Sequence, residues 1–359
     1  MDKGVRALFE KKAQKMDNKV HVALSVCDDT GRYGKYVATA IVSMLQNTKS
    51  HVVIHVLHDD NISKKTLFML KETAKRFDAE MLFYEVSVPS ELRGLKSLST
   101  ITIGTLFRLY LPSVCSADKI VYLDGDVLVN IDIAKLWEVD IEDVYAAVVS
   151  DVETTREKYI NTRYYRKIGF DKEKYFNAGV MYINLKRIRE SFSLSDKGIE
   201  MLTKYRYLAF ADQDVLNYLL AERLKWLPEI YNYQVNLAKD DVKLPEFPCI
   251  MHFSGAVKPW ECTSEEAVNK YFTVFLCTPY GEKKEEMASF VTDAIQGYAR
   301  RMDLKRCILE KQKGSGFSVN IILLIRTMIG NEKVYRKVLE TIRNARHMLR
   351  YDLLYVFRK

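Results

Sequence analysis

The chain has 359 residues, of which 48% are hydrophobic and 28% charged, a composition typical of a globular protein with one large domain and an extension. No window of about 18 residues is apolar throughout, so no membrane-spanning helix is expected. The polar residues 1–19 lack the apolar core of a signal peptide, and the six cysteines show no metal-binding spacing, so we expect reduced thiols and a cytoplasmic protein.

Apolar, β-branched runs alternate with amphipathic segments in the first part of the chain. The predicted strands are, in order, Val20–Val26, His51–Leu57, Glu80–Val86 and Lys119–Leu123. The predicted helices between them are Tyr36–Gln46, Ser63–Phe77 with Ser63 as the N-cap, and the first half of residues 103–115. This alternation predicts an α/β fold with a mostly parallel sheet covered by helices on both faces.

The second part of the chain continues with mixed elements. Further strands are predicted at Tyr145–Asp151, Gly179–Leu185 and Cys249–Phe253, and further helices at 195–206 and 212–223. The segment Lys311–Ser318 is rich in glycine and polar residues, which predicts a flexible joint before a terminal helical segment.

Two acidic pairs follow the ends of predicted strands. Asp28 and Asp29 come after the first strand, and Asp124 and Asp126 come after the fourth with Gly125 between them. In open α/β sheets ligands bind at the carboxyl ends of the strands, so both pairs are expected at one functional edge. The glycine allows a tight turn and leaves room for a closely bound ligand.

Three interpretations of the Asp124–Gly125–Asp126 turn are open from these residues alone. The pair could hold a divalent cation, and a mixed carboxylate and imidazole set suits Mn²⁺. It could instead be a phosphatase pair in which one aspartate attacks a phosphoryl group, although that motif usually opens its fold. It could also be an ordinary polar turn.

Downstream segments favour the metal interpretation. Residues 252–260, HFSGAVKPW, supply a histidine, a glycine and a lysine after a predicted strand, although a histidine there is also compatible with a structural role. Residues 176–185, FNAGVMYINL, place an asparagine and a glycine before a buried strand. Residues 212–217, DQDVLN, place two acids and an amide in the first turn of a helix, where N-capping is the alternative role.

Taken in order, the segments SVCDDT, FRLYLPSVCSADKIVYLDGDVLV, FNAGVMYINL, ADQDVLN and HFSGAVKPW resemble the retaining glycosyltransferases of family 8. Within this family, the segments are similar to those of the bacterial lipooligosaccharide galactosyl- and glucosyltransferases. The resemblance implies a GT-A, Rossmann-like fold, a UDP-glucose or UDP-galactose donor and a requirement for Mn²⁺, with Mg²⁺ as the alternative ion. We therefore expect an N-terminal helical extension over residues 1–19, a catalytic domain over 20–280 and a basic helical C-terminal region over 281–359.

The resemblance also implies roles for individual residues. The metal ligands would be Asp124, Asp126 and His252. The nucleotide would contact Val26, Cys27, Asp28, Thr30, which stands where the family commonly has Asn, and Tyr33, a candidate for stacking on the base. The sugar and diphosphate would be near Arg108, Gly125, Gly255 and Lys258. The side chains that line the binding site of the donor sugar, called here the donor wall, would be those of Asp151, Asn177, Ala178, Asp212 and Gln213.

The same residues bear on how configuration is retained. Retention could use a carboxylate nucleophile, as in retaining glycosidases. The residue at the expected back-face position is Gln213, whose amide is a poor nucleophile. We therefore favour front-face attack, with Gln213 stabilising an oxocarbenium-like centre and Asp212 holding donor hydroxyls; Asp151 is the other candidate catalytic residue.

The net charge of +8 is concentrated at one end of the chain. Residues 300–359 hold 15 Lys and Arg against 5 Asp and Glu, a net charge of +10, which leaves −2 for residues 1–299. Basic helices with an apolar face can lie on an anionic membrane surface, or can pack on the domain with their charges in solvent. We predict peripheral association with the inner face of the plasma membrane, and no nucleic-acid partner, because no recognition motif accompanies the charge.

The acceptor is expected to be a cell-surface glycan, glycolipid or glycoprotein. Two alternatives to a glycosyltransferase are an HAD-like phosphatase that uses Asp124 and Asp126, and a sugar-nucleotide-binding protein without catalytic activity.

Overall fold

The computed structural model describes residues 19–94, 102–152, 163–205, 208–237, 242–255, 257–261, 265–294 and 296. The predicted N-terminal extension, apart from Lys19, lies outside the described residues. The predicted joint at Lys311–Ser318 and the basic region beyond residue 296 also lie outside them.

Ten strands in the described ranges form two sheets. They are β1 (Val20–Val26), β2 (Val52–His58), β3 (Glu80–Glu85), β4 (Lys119–Leu123), β5 (Val127–Val129), β6 (Ala146–Ser150), β7 (Phe176–Asn184), β8 (Leu224–Trp226), β9 (Tyr233–Gln234) and β10 (Ile250–His252). The large sheet has the order β3-β2-β1-β4-β7-β6-β8, and the small sheet has the order β5-β10-β9.

The large sheet is mixed but mostly parallel, as predicted. Strand β1 pairs in parallel with β2 and β4, and the pairs β2–β3 and β6–β8 are also parallel. Strand β7 runs antiparallel to both of its neighbours, β4 and β6. Because β1 and β4 are adjacent and parallel, the loops that carry both acidic pairs leave the sheet at the same edge.

The small sheet was not predicted from the sequence. Strand β5 begins directly after Asp126 and pairs antiparallel with β10, so that His252 lies opposite Val127. Strand β9 pairs in parallel on the other side of β10. This pairing brings a histidine near the end of the domain to the Asp124–Gly125–Asp126 turn.

Helices cover the sheet. The α-helices are α1 (Gly34–Asn47), α2 (Lys64–Lys75), α3 (Leu111–Val114), α4 (Ala134–Trp137), α5 (Arg163–Ile168), α6 (Leu185–Ser191), α7 (Leu194–Lys204), α8 (Ala211–Leu220) and α9 (Glu265–Phe275). Ser63 caps α2 as predicted, since its hydroxyl accepts a hydrogen bond from the backbone N–H of Thr66 at 3.0 Å. The segment predicted to be helical after residue 102 begins as a 3₁₀ helix, Ile103–Tyr110.

The predicted strand bounds agree with the structure to within one residue except at β7. This strand begins at Phe176, three residues before the predicted Gly179, because Phe176 and Asn177 pair with Ser150 and Val149 beyond a register shift in β6. The polar Asn177 interrupts the apolar pattern of the strand, which is why the early start is not visible in the sequence.

Apolar side chains fill the space on both faces of the large sheet. Along β1, Val22 and Leu24 belong to one buried cluster and Ala23 belongs to the other, as the alternation of a strand requires. Burial of each large apolar side chain stabilises the fold by about 2 kcal/mol. None of the helices in the described part of the chain has both the length and the apolar character needed to cross a bilayer.

Candidate active site

Three candidate ligands converge at the carboxyl edge of the large sheet. Asp124 directly follows β4, Asp126 directly precedes β5, and His252 is the last residue of β10. Nε2 of His252 lies 3.4 Å from Oδ1 of Asp126 and 3.8 Å from Oδ2 of Asp124. One ligand atom from each residue lies within 4.8 Å of the other two, so one ion can contact all three.

Backbone hydrogen bonds hold the turn between the two sheets. The N–H of Asp124 donates to the carbonyl of Gly179 at 2.8 Å, and the carbonyl of Asp126 accepts from the N–H of Phe253 at 3.1 Å. The turn is therefore anchored to β7 on one side and to the residue after β10 on the other. These contacts fix the separation of the two carboxylates before any ligand binds.

The donor atoms fit a divalent cation. Oδ1 of Asp126 is buried and accepts no hydrogen bond from the residues that the structure describes. A buried carboxylate oxygen without a partner is costly, and a cation removes that cost while relieving the repulsion between the two aspartates. Two carboxylates and one imidazole form a donor set suited to ions such as Mn²⁺.

Lys258 pairs with the second aspartate of the turn. Its Nζ atom donates to Oδ2 of Asp126 at 2.5 Å and to the carbonyl of Phe253 at 2.8 Å. Burial disfavours the charged form of Asp126, but Lys258 and His252 outweigh it and hold the pKa of that carboxyl below its ordinary value. Asp126 is therefore in the anionic form that a metal ligand needs.

Arg108 connects the first aspartate of the turn to helix α8. Its Nη2 atom donates to Oδ1 of Asp124 at 2.7 Å, and its Nε atom lies 3.0 Å from Oδ2 of Asp212. Its Nη1 atom donates to the carbonyl of Ala178 at 2.6 Å, and the guanidinium lies 4.3 Å from the centre of the Tyr122 ring. Every face of this buried side chain is thus in contact with the site.

Asp212 differs from Asp126 in its protonation behaviour. Burial raises the pKa of Asp212 to about 6, and the charge of Arg108 only partly offsets this effect. The buried Asp212 carboxylate is nevertheless paired with the same guanidinium that contacts Asp124.

The other predicted donor-wall residues form one hydrogen-bonded group. Oδ2 of Asp151 accepts from Nδ2 of Asn177 at 3.2 Å and from Nε2 of Gln213 at 3.1 Å. Oε1 of Gln213 accepts from the backbone N–H of Ala178 at 3.0 Å. The structure therefore brings the five residues of the predicted wall together around Arg108 and the Asp124–Gly125–Asp126 turn.

Helix α8, which carries Asp212 and Gln213, is anchored by Asp214, the second acid of the DQDVLN segment, to which the sequence analysis assigned no binding role. Asp214 accepts hydrogen bonds from the hydroxyls of Tyr165 and Tyr175 at 2.8 and 2.7 Å, and from the backbone N–H of Phe210 at 2.9 Å. Burial raises its pKa to about 6 despite these donors. Ala211, the first residue of the helix, has a φ of 41°, a conformation costly for a residue with a Cβ and most frequent at functional sites.

Asp28 shapes the loop after β1. It is 2% exposed, and its carboxylate accepts from the backbone N–H groups of Arg32 and Gly34 at 2.8 and 2.7 Å and from the hydroxyl of Thr66 at 2.7 Å. The hydroxyl of Thr30, an exposed residue, lies 3.4 Å from the same carboxylate. The carboxylate of Asp28 therefore connects the loop after β1 to Thr66 of helix α2.

The remaining predicted nucleotide contacts lie near this loop. Val26 is buried at the end of β1, and burial raises the pKa of the next residue, Cys27, to about 11. Tyr33 lies beside the acidic turn: its hydroxyl is so close to Gly125 that a Cβ added to this glycine would lie only 2.9 Å from it. A Cβ added to Gly255 would lie 2.9 Å from Oδ1 of Asn236, so this glycine is also required for close packing.

Two residues near His252 were missed in the sequence analysis. Oδ1 of Asn232, a fully buried residue, lies 3.0 Å from Nδ1 of His252. A Cβ added to Gly179 would lie 2.1 Å from Cε1 of the same ring. Gly179 belongs to the FNAGV segment and could have been noticed there, whereas Asn232 belongs to no motif.

The fold is that of the GT-A glycosyltransferases. The fold is similar to that of the galactosyltransferase LgtC, solved in complex with donor and acceptor sugar analogs, with a TM-score of 0.61, 24% identity, and coverage of 72% of this chain and 96% of that one. It is also similar to the glycosyltransferase GlyE of Streptococcus pneumoniae, with a TM-score of 0.54, 21% identity, and coverage of 72% and 61%.

The family model described as glycosyl transferase family 8 matches residues 24–264, and the chain belongs to this family. A lipopolysaccharide 1,2-glucosyltransferase of Escherichia coli is 27% identical over 74% of this chain and 80% of that protein. A lipopolysaccharide 1,3-galactosyltransferase of Salmonella typhimurium is 28% identical over 71% and 77%, and general stress protein A of Bacillus subtilis is 28% identical over 71% and 93%. The protein is a glycosyltransferase, so the phosphatase and non-catalytic alternatives are set aside.

Proposed function

We propose that this protein is a Mn²⁺-dependent retaining hexosyltransferase that moves glucose or galactose from a UDP-sugar to a glycan of the cell surface. The observation that carries the proposal is the convergence of Asp124, Asp126 and His252 within 4.8 Å, beside the two cations Arg108 and Lys258. Mg²⁺ is the alternative ion, because carboxylate oxygens also suit it.

The relatives support a lipopolysaccharide or related glycolipid as the acceptor. Two of them are named as a lipopolysaccharide glucosyltransferase and a lipopolysaccharide galactosyltransferase, and their identities to this chain are 27% and 28%. This near equality leaves glucose and galactose as equal candidates for the donor sugar. Glucose and galactose differ at one hydroxyl, so several side chains of the donor wall together would set the choice.

Departure of UDP from the donor develops negative charge on the diphosphate. A bound Mn²⁺ would supply Lewis-acid stabilisation of that charge. Lys258 and Arg108 add fixed positive charge in a partly buried site, where such charge acts more strongly than in water. Arg108 is held in place by its bonds to Asp124 and Ala178, so it needs little reorganisation during the reaction.

The geometry of the donor wall favours front-face attack over a covalent intermediate. The amide of Gln213 is held by Ala178 and Asp151 and is a poor nucleophile. Asp212 is engaged with Arg108, which leaves it suited to holding donor hydroxyls. In this mechanism the leaving diphosphate takes the proton of the acceptor hydroxyl, and Gln213 stabilises the oxocarbenium-like centre. A sugar trapped covalently on Asp212 or Asp151 would contradict it.

We further propose that residues 20–280 form the catalytic domain and that the basic region over 281–359 binds an anionic membrane surface from the cytoplasmic side. The support is the net charge of +10 over residues 300–359, together with a glycolipid acceptor that would itself lie in a membrane. This arrangement would place the active site beside its acceptor.

The proposed reaction is tested by a panel of UDP-sugars with Mn²⁺ and a purified lipopolysaccharide core acceptor. UDP release identifies the donor, and proton NMR of the product reports the anomeric configuration. We expect UDP-glucose or UDP-galactose to be used, with an α-linked product that retains the donor configuration. A β-linked product, or no preference for UDP-hexoses over other nucleotide sugars, would contradict the proposal.

A further inference from the structure

A chain of buried amides connects the donor wall to the candidate metal ligand His252. It runs from Asp151 through Asn177 and Asn232 to Nδ1 of His252. Asn177, Asn232 and His252 are 1%, 0% and 4% exposed, so water cannot replace these contacts readily. The orientation of each amide in the chain can be worked out from its fixed ends.

The amide of Asn177 is oriented by two groups of known polarity. The backbone N–H of Gly179 can only donate, and it donates to Oδ1 of Asn177 at 3.0 Å. The carboxylate of Asp151 accepts from Nδ2 of Asn177 at 3.2 Å. The oxygen of the Asn177 amide therefore faces Gly179, and its nitrogen faces Asp151.

This orientation fixes the next amide in turn. The side-chain amide of Asn232 lies 2.9 Å from Oδ1 of Asn177. Because this oxygen is an acceptor, the atom of Asn232 that faces it must be the donor Nδ2. Oδ1 of Asn232 then faces His252, and it lies 3.0 Å from Nδ1 of the ring. Because an amide oxygen cannot donate, the proton of this hydrogen bond belongs to Nδ1 of His252.

When the ring is neutral, the opposite nitrogen of His252 is consequently the one with the lone pair. Nε2 is directed at the two aspartates, 3.4 Å from Asp126 and 3.8 Å from Asp124. The imidazole of His252 packs directly against Gly179. A Cβ on residue 179 would lie only 2.1 Å from Cε1 of the ring, so the ring can take this position only beside a glycine. The ring is thus held in one plane and in one tautomer.

We propose that Asn232 is a positioning residue that holds His252 in the Nδ1–H tautomer and so keeps Nε2 available as a metal ligand. The inference rests on the proposed metal site. Groups that orient a metal-binding histidine typically change metal affinity roughly 10- to 100-fold when they are removed. In this chain the same amides also touch the donor wall, so Asn232 connects the two halves of the site.

Three variants of the full chain test the inference. Asn232→Leu keeps the approximate volume but removes both hydrogen bonds, whereas Asn232→Asp keeps an acceptor for Nδ1–H and loses the donor to Asn177. The matched control is Asn184→Leu, because Asn184 is also buried, donates to the carbonyl of Ile141 and caps α6 away from the site. Mn²⁺ binding with saturating UDP is measured from the EPR signal of the free ion.

A second readout is independent of metal binding. Long-range ¹H–¹⁵N NMR of the metal-free protein reports the tautomer of each histidine, and the His252 signals are assigned by their loss in His252→Gln. We expect the neutral ring of wild-type His252 to be in the Nδ1–H form, so the spectra are recorded at a pH at which the ring is neutral. We expect Asn232→Leu to lose this form and bind Mn²⁺ roughly 10- to 100-fold more weakly, Asn232→Asp to lose less affinity, and Asn184→Leu to match the wild type.

The inference is overturned if the neutral ring of wild-type His252 carries its proton on Nε2, or if folded Asn232→Leu binds Mn²⁺ as the wild type does. If Asn232→Leu does not fold, the inference is tested by the tautomer of His252 in the wild type and by the Mn²⁺ affinity of Asn232→Asp. A wild-type protein that binds no Mn²⁺ would refute the proposed metal site instead, and the tautomer spectrum would then decide the inference alone.

Discussion

Arg108 donates a hydrogen bond of 2.7 Å to Asp124 from a side chain that is only 4% exposed. A buried arginine of this kind is fully engaged, and its other nitrogens contact Asp212 and Ala178. The contact joins the acidic turn after β4 to the first turn of α8, two segments that are 88 residues apart in the chain.

The planar guanidinium of Arg108 makes contacts in three directions that a lysine cannot reproduce. We expect Arg108→Lys to keep the fold and the charge but to lower kcat by about 100- to 1000-fold, because the positive charge is no longer held in place. The measurement is kcat for UDP release under saturating donor. The control is Arg76→Lys, since Arg76 pairs with Glu282 on the surface; equal activity in both variants would argue against the role of Arg108.

Gly179 is required by the position of the His252 ring. We expect Gly179→Ala to displace the imidazole, to destabilise the protein by about 1–3 kcal/mol and to weaken Mn²⁺ binding. The control is Gly198→Ala in α7, where a Cβ would meet side-chain methyl groups of Leu109 and Val215 at 3.1 and 3.3 Å, without approaching the site. Urea unfolding and EPR titration measure the two effects. Unchanged Mn²⁺ affinity in Gly179→Ala would show that the ring does not need this space.

A histidine far from the site is expected to make the protein less stable in acid. Burial, and then the neighbouring His21, lower the pKa of His55 to about 4, from about 6.5 in the unfolded chain. Protonation of His55 is therefore disfavoured in the folded state, so the contribution of this residue to stability is complete above pH 6.5 and falls as the pH drops toward 4, by about 3 kcal/mol. The raised pKa values of Asp212 and Asp214 act in the opposite direction. The hydroxyl of Tyr84 and the Sγ atom of Cys115 lie 3.0 and 3.4 Å from Nδ1 of His55. The charge of Glu80 partly opposes the lowering of the His55 pKa.

This acid sensitivity is measured by urea unfolding at pH 7 and pH 4.5. In His55→Gln this position cannot be protonated. Acidification should therefore lower the free energy of unfolding of this variant by less than it lowers that of the wild type. The control is His51→Gln, because His51 is exposed just before β2. If the wild type and His55→Gln lose the same stability on acidification, His55 is not the cause.

The sequence was sufficient to predict the elements whose pattern is local. The apolar β-branched run Val20–Val26 and the capped helix after Ser63 were predicted because their signals lie within one short window. Strand β5 was missed because three residues give no periodicity, and its partner β10 is 121 to 125 positions away along the chain at the paired residues.

The residues of the site also divide into those with a local signal in the sequence and those without one. Asp124, Asp126 and His252 were found because carboxylates and a histidine after strands are recognisable in a sequence. Asn232 was missed because a buried amide acts only through its neighbours, and those neighbours come from β7 and β10. Asp28 illustrates a different difficulty, since the sequence places it at the functional edge but cannot show that backbone N–H groups occupy its carboxylate.

The basic region gives a prediction that is independent of the active site. Truncation near Gly314 should release the protein from vesicles that contain anionic phospholipid, because most of the +10 charge is removed, while Mn²⁺-dependent hydrolysis of the donor is kept. Vesicle co-sedimentation of the full and truncated chains measures this, with neutral vesicles as the control. Equal binding of both chains to anionic vesicles would contradict the prediction.

The most direct test of the account is UDP release from UDP-glucose and UDP-galactose by the wild type, Asp126→Asn and Asp143→Asn, with Mn²⁺ and with EDTA. Asp143 is a highly exposed aspartate paired with Arg187 and serves as the control. We expect the wild type and Asp143→Asn to release UDP only with Mn²⁺, and Asp126→Asn to lose at least about 100-fold of that activity. Full activity of Asp126→Asn, or activity of the wild type that persists in EDTA, would contradict the assignment of a metal to this site.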